Sequence, residues 1–233
     1  SKSDKYNFAF DDLKNHIGHT KDIKKIEAYD VSHISGNHAV ASCVVYSNKG
    51  PNKKEYRTFN IPKELSGNDV GSLEHVIQRR IKYYDNKEIK PDLILIDGGK
   101  NQLNFSQSVI HNSRHKDIKV ISIVKGINRI RATETVFSKD GIIEFNRASK
   151  GYLLLQEIRD EAHRFAINAQ RKKKNAKNRK SQLDNIEGIG DILKKRLLHN
   201  FKSLKNIKSA NIEDLMTVKG INAKIAQLIK DKL

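Results

Sequence analysis

Pro91-Asp92-Leu93-Ile94-Leu95-Ile96-Asp97-Gly98-Gly99-Lys100 reads as a buried strand that ends on a carboxylate and breaks at two glycines. Four consecutive apolar residues suit a strand covered on both faces, as in a parallel sheet. Upstream, residues 72–84 set Leu73, Val76, Ile77 and Ile81 at helical spacing, with Arg79, Arg80 and Lys82 on other faces. A helix therefore crosses over to this strand. Further upstream, residues 26–31, 39–46 and 56–61 read as a meander of three antiparallel strands, the last two separated by the turn formers Ser47-Asn48-Lys49-Gly50-Pro51-Asn52. Downstream, a helix over 101–110, a strand over 120–124, a hairpin over 133–145 and a long helix from 149 to about 169 complete the pattern. Strands first and β-α-β alternation after them predict an α/β mixed sheet, three antiparallel strands then parallel β-α-β, with helices on its faces.

Residues 171–180 carry seven basic positions in ten and no acidic one, so they form either an extended linker or a continuation of the preceding helix. The tail beyond has no strand signal but holds a weak duplication. Ile186-Glu187-Gly188-Ile189-Gly190 and Val218-Lys219-Gly220-Ile221-Asn222 each precede an amphipathic stretch, predicting two helix pairs packed on each other. The expected organisation is a domain over 1–170, a basic linker over 171–181 and a small all-α domain over 182–233. A tight glycine turn entering a helix leaves backbone N–H groups at a positive dipole end, which suits a phosphate. Gly188, Gly190, Gly220 and Asn222 are the candidate phosphate-binding positions. Asn222 is expected to stand in for glycine by tolerating left-handed backbone.

The chain has 233 residues and a formal charge of +18, which excludes an acidic protein, and 37% hydrophobic residues exclude full disorder. Removing the basic run leaves most of the surplus. A distributed excess of this kind points to a polyanionic partner, nucleic acid before an anionic membrane surface, although a basic surface alone would also fit. No apolar run approaches the ~20 residues of a membrane helix, and no signal peptide opens the chain. A single cysteine, Cys43, reads as a buried small hydrophobe and suits a reducing compartment. A cytoplasmic monomer is expected, and a chain opening at Ser1 without a methionine can be a piece of a longer one.

Asp30 ends the strand Tyr29-Asp30-Val31-Ser32-His33, as Asp97 ends its own. Neighbouring parallel strands lie ~4.8 Å apart, so the two carboxylates could share a hard cation, Mg²⁺ or Mn²⁺. Gly98 and Gly99 would let a substrate backbone come close. His163, in a helix of mixed charge, could ligate or transfer a proton. Lys100 and Arg164 could offset phosphate charge. Asp69 reads as a helix N-cap. Taken singly, each of these residues also fits an ordinary turn former, cap or surface side chain.

In series, Tyr29-Asp30-Val31-Ser32-His33-Ile34-Ser35-Gly36, Asn68-Asp69, Leu95-Ile96-Asp97-Gly98-Gly99-Lys100-Asn101-Gln102-Leu103, Arg159-Asp160-Glu161-Ala162-His163-Arg164-Phe165-Ala166-Ile167 and the duplicated tail resemble the C-terminal half of UvrC, the incision subunit of bacterial nucleotide excision repair. The resemblance runs from about Ile26 to Leu233 and departs from the family pattern at Val70-Gly71-Ser72. It implies an RNase H-like endonuclease domain that cuts the damaged strand 5′ of a lesion with a divalent metal, followed by a tandem helix-hairpin-helix domain that binds DNA at a bubble or junction. It makes Asp30, Asp97 and His163 a catalytic triad and metal site, ties Asp69 to activity, and names UvrB, with UvrA upstream, as partners. The competing reading is a non-catalytic DNA-binding adaptor on the same scaffold.

Overall fold

The computed structural model describes residues 2–34, 38–87, 89–126 and 134–233. Ser35 and Gly36 of the first motif, and Thr133 at the head of the expected hairpin, lie outside these residues. The described chain divides into two units, 1–170 and 171–233.

The first unit is built on one mixed sheet. Strands β1 (Lys25–Ile34), β2 (His38–Ser47), β3 (Gly50–Pro51) and β4 (Arg57–Asn60) form the antiparallel part, with β3 and β4 both on β2. Helix α2 (Asp69–Lys87) leads to β5 (Leu93–Asp97), which pairs parallel to β1, and α3 (Lys100–His111) leads to β6 (Lys119–Lys125), parallel to β5. The hairpin β7 (Glu134–Ser138) and β8 (Gly141–Ile143) closes the sheet in the order β3-β2-β1-β5-β6-β7-β8. The expected mixed sheet is therefore present. Leu93, Ile94, Leu95 and Ile96 are all buried because helices cover both faces.

Two successive right-handed crossovers in one direction place α2 and α3 on the same face. There Leu73, Val76, Ile77, Arg80 and Tyr84 form the buried stripe of α2. Arg80 was expected on an outer face, yet it stands seven residues from Leu73 and so on the same stripe. Its charge is met by Glu27 of β1, which is fully buried and accepts from Arg80 Nη2 at 2.5 Å and from the Tyr29 and Tyr84 hydroxyls. Pairing and multiple hydrogen bonds are what make such burial tolerable.

The opposite face carries α4 (Lys150–Asp184) and α1 (Lys2–His16), a helix the sequence reading did not anticipate. Tyr6, Ala9, Phe10 and Leu13 are its buried positions. A Cβ on Gly151 would stand 2.6 Å from the Leu13 backbone nitrogen, so glycine allows α1 and α4 to approach closely. Asp12 accepts from the Gly151 N–H at 2.7 Å and Tyr6 donates to Glu157 at 2.6 Å across the same seam. Of the two forms open to the basic run, the structure has the helix, since α4 continues through 171–180 to Asp184. No described helix is long and apolar enough to cross a membrane.

The second unit contains the last part of α4, α5 (Asp191–Phe201), α6 (Leu204–Ser209), α7 (Ile212–Met216) and α8 (Ala223–Lys232). Its core repeats the sequence duplication: Leu183 and Leu215, Ile186 and Val218, Ile189 and Ile221, and Leu197 and Ile229 are all buried. The copies pack reciprocally. Added Cβ atoms on Gly188 and Gly220 would face Ile225 of α8 and Leu193 of α5, which are themselves equivalent positions.

Candidate metal centre and nucleic-acid interface

The parallel ladder between β1 and β5 ends with Tyr29 opposite Ile96, so Asp30 and Asp97 come just past the last pair; Asp97 closes β5, but Asp30, expected at a strand end, lies within β1, which continues to Ile34 paired with β2. Helix α4 crosses above them. Its position is fixed by the Ser42 hydroxyl of β2, which sits opposite Asp30 and donates to the Ala162 carbonyl at 3.1 Å, one residue before His163. Asp30, Asp97 and His163 thus each offer one ligand atom, all within 4.8 Å of one another. His163 Nδ1 stands 3.3 Å from Asp30 Oδ2. Asp30 is buried, Asp97 half-buried and His163 exposed.

Burial pushes the Asp97 carboxyl up, and the neighbouring Asp30 pushes it further, while Arg159 and His163 oppose them; the outcome is about 6 against the usual 3.8. Two carboxylates converging where the β1–β5 ladder ends raise one another's cost of ionisation, which a cation between them relieves. The donor set of two hard oxygens and an imidazole fits Mg²⁺ or Mn²⁺. Arg159 lies one helical turn before His163 and is held by Glu134 and Asp160.

The sign of this shift makes a stability prediction. A carboxyl whose folded pKa is raised carries no penalty below about 3.8, where both states are protonated, and its full penalty above about 6. In cation-free protein, Asp97→Asn is expected to raise stability by up to roughly 3 kcal/mol near neutral pH, with the gain shrinking as pH falls toward 4. Thermal melts of both proteins across that range check it, and a gain that does not change with pH would contradict the site's electrostatics.

The other candidates lie elsewhere. Among the described residues, Asp69 does not join the three-residue cluster. It also is not the N-cap of α2: Asn68 is, its Oδ1 accepting from the Gly71 N–H at 2.9 Å, and Asp69 is the first helical residue. Asp69 instead lines an open depression with Val70, Gly99, Lys100, Asn101 and Gln102. Lys100 opens α3, exposed, with its ammonium 5.1 Å from the centre of the Phe137 ring. At Gly99 an added Cβ would meet nothing, whereas at Gly98 it would meet the Gln102 side chain, whose Oε1 accepts from the Gly99 N–H at 2.8 Å. Arg164 is exposed and forked onto Glu161 at 2.6 and 2.7 Å. Ser32 and Ser42 were not singled out from sequence, although strict alternation puts Ser32 on the face of Asp30.

In the two glycine turns of the second unit, the left-handed positions are the first glycines, Gly188 at φ +85° and Gly220 at φ +100°. Asn222 is not left-handed as expected: it is extended (φ −104°) and caps α8, its side chain accepting from Ile225 N at 2.9 Å. Gly190 holds the equivalent place before α5 with no side chain to cap it. An Asn at an N-cap is favoured for its carbonyl oxygen rather than for backbone freedom.

The family model described as the UvrC RNAse H endonuclease domain matches residues 14–167, and that of the SAM-like helix-hairpin-helix tandem matches residues 180–233. The UvrABC system protein C of Francisella tularensis subsp. mediasiatica is 34% identical over 232 residues, covering 98% of this chain and 38% of that protein. The protein of the same name from Francisella tularensis subsp. novicida matches with the same identity and coverage. The chain thus spans about two fifths of the length of the curated relatives it matches. Among solved structures, a crystal structure of human ENDOV is similar with a TM-score of 0.41 and 14% identity, over 65% of this chain and 86% of that chain.

Proposed function

The chain belongs to the family of the UvrC RNase H endonuclease domain, and from that premise we propose that it is a divalent-metal-dependent DNA endonuclease making the 5′ incision beside a lesion in nucleotide excision repair. The observation that carries this reading is the convergence of Asp30, Asp97 and His163 where the β1–β5 ladder ends. Asp30 and Asp97 would hold the cation by their carboxylates, with His163 completing the set or moving the proton of the attacking water. A divalent ion held there supplies Lewis acidity toward the phosphodiester and activates water. Gly99 leaves room for the sugar-phosphate backbone, and Lys100 offsets phosphate charge at the mouth of the site. Arg164 can do the same only by leaving Glu161. Asp69 faces the same depression as Lys100 and acts from outside the three-residue cluster.

The helix-hairpin-helix tandem grips the DNA where its strands part. Gly190 leaves the first amides of α5 without a side-chain cap and available to a phosphate, whereas Asn222 occupies one amide of α8. The first hairpin is therefore the stronger phosphate holder. If both hairpins together engage about four phosphates, raising salt from about 50 to 200 mM weakens binding on the order of a hundredfold. Titration of the chain against bubble and perfect duplex checks this: a flat salt response, or no preference for the bubble, would remove the hairpins from the account. UvrB, with UvrA before it, is the partner that delivers damaged duplex, and the cytoplasm is the place of action. The test of the activity is cleavage of a pre-nicked, damaged duplex in the presence of these partners, with Asp97→Asn beside the wild type. Binding without cutting would favour the adaptor.

A further inference from the structure

Ser32 follows Asp30 by two positions on β1, so both side chains project from the face beneath α4. Its hydroxyl donates to Asp30 Oδ2 at 3.0 Å, and His163 Nδ1 stands 3.3 Å from the same oxygen. A carboxylate on a two-bond stem rotates freely unless something holds it, and here one oxygen is approached by two protein groups from different elements. With Oδ2 held in this way, the plane of the carboxylate is set and Oδ1 keeps one direction. The hydrogen bond of Ser32 reaches the three converging residues through Asp30.

We infer that Ser32 is a positioning residue: its hydroxyl fixes the Asp30 carboxylate in the orientation that meets Asp97 and His163 around a divalent cation. This rests on the reading of those three residues as the cation site. Groups that hydrogen-bond a ligand and orient it are commonly worth ten- to a hundredfold in metal affinity. Ser32→Ala should therefore weaken Mn²⁺ binding roughly tenfold or more, while Ser32→Thr, which keeps the hydroxyl and suits a strand, should bind close to wild type.

Calorimetric titration of Mn²⁺ into the whole chain without DNA reads this directly, with thermal melting of each variant alongside. Weak binding by a well-folded Ser32→Ala together with recovery in Ser32→Thr supports the assignment. Wild-type affinity in Ser32→Ala overturns it and leaves the cation site standing. Equal weakening in Ser32→Ala and Ser32→Thr also overturns it, because the hydroxyl is then not what matters. Mn²⁺ uptake no better in the wild type than in Asp97→Asn overturns the cation site, and the role of Ser32 with it. Should Ser32→Ala melt early, the Ser32→Thr arm decides, since loss of affinity in that folded variant contradicts the inference.

Discussion

Asp97→Asn is expected to cut damaged DNA at least about a thousandfold more slowly than the wild type while binding it as tightly. The substitution keeps the shape of the side chain and removes the charge that pairs with Asp30 around a cation. Metal ions contribute several kcal/mol to such transition states, and about 4 kcal/mol is a thousandfold in rate. On the proposed function, DNA affinity resides in the helix-hairpin-helix unit and the basic surface, neither of which the change touches. Asp30→Asn should behave alike. A folded variant of either kind that retains a tenth of wild-type cutting would sink the assignment of the two carboxylates. Single-turnover cleavage and a binding titration on the same preparations separate the two quantities.

Gly220→Val is expected to unfold the second unit, and Gly190→Val to leave it folded. At Gly220 the backbone has φ +100°, and an added Cβ would lie 2.7 Å from Leu193 Cδ2. Strain at such a backbone costs about 1–3 kcal/mol and overpacking a similar amount. A helical unit of this size has little stability to spare. Gly190 has φ −84°, and its Cβ would meet nothing within 4 Å. The change there should cost about 1 kcal/mol at most as a poorer N-cap. Hydrogen exchange of the α5 and α8 amides reads the difference: protection should vanish in Gly220→Val and persist in Gly190→Val. DNA affinity should fall in both, in the first through unfolding and in the second because a branched side chain crowds the amides that face the phosphate. Equal protection in the two variants would show that the left-handed glycine is not what the turn depends on.

The strand-and-helix alternation of the first unit was legible because each element carries its own period, and Asp97 stood out as a carboxylate closing an apolar strand; Asp30 was expected to close one too, but β1 runs on to Ile34 because β2 pairs with it beyond the point where β5 stops. That the two carboxylates meet required the parallel pairing of β1 with β5, which the crossover through α2 implies. What sequence-local reading missed depends on partners far along the chain. Arg80 is a surface cation until Glu27, 53 positions away, is placed opposite it. Helix α1 has its apolar positions at helical spacing, but the surface that buries them belongs partly to α4 and its Gly151. Between Asn68 and Asp69 either side chain could cap α2, and only the backbone decides which one does. Asn222 kept its place in the turn but for a different reason, accepting a hydrogen bond from Ile225 rather than adopting glycine's backbone. Ser32 carries no signal of its own in the sequence, because the role inferred for it works through Asp30.

The most direct test of the account is the rate and position of cutting on an end-labelled, lesion-containing duplex already nicked on the 3′ side, with the partner proteins present and free Mn²⁺ or Mg²⁺ varied from chelated to saturating. The account predicts a single cut on the 5′ side of the lesion whose rate rises from zero with the cation, saturates, and is absent at every concentration in Asp97→Asn. Cutting that persists in chelator, or that survives in Asp97→Asn, would contradict it.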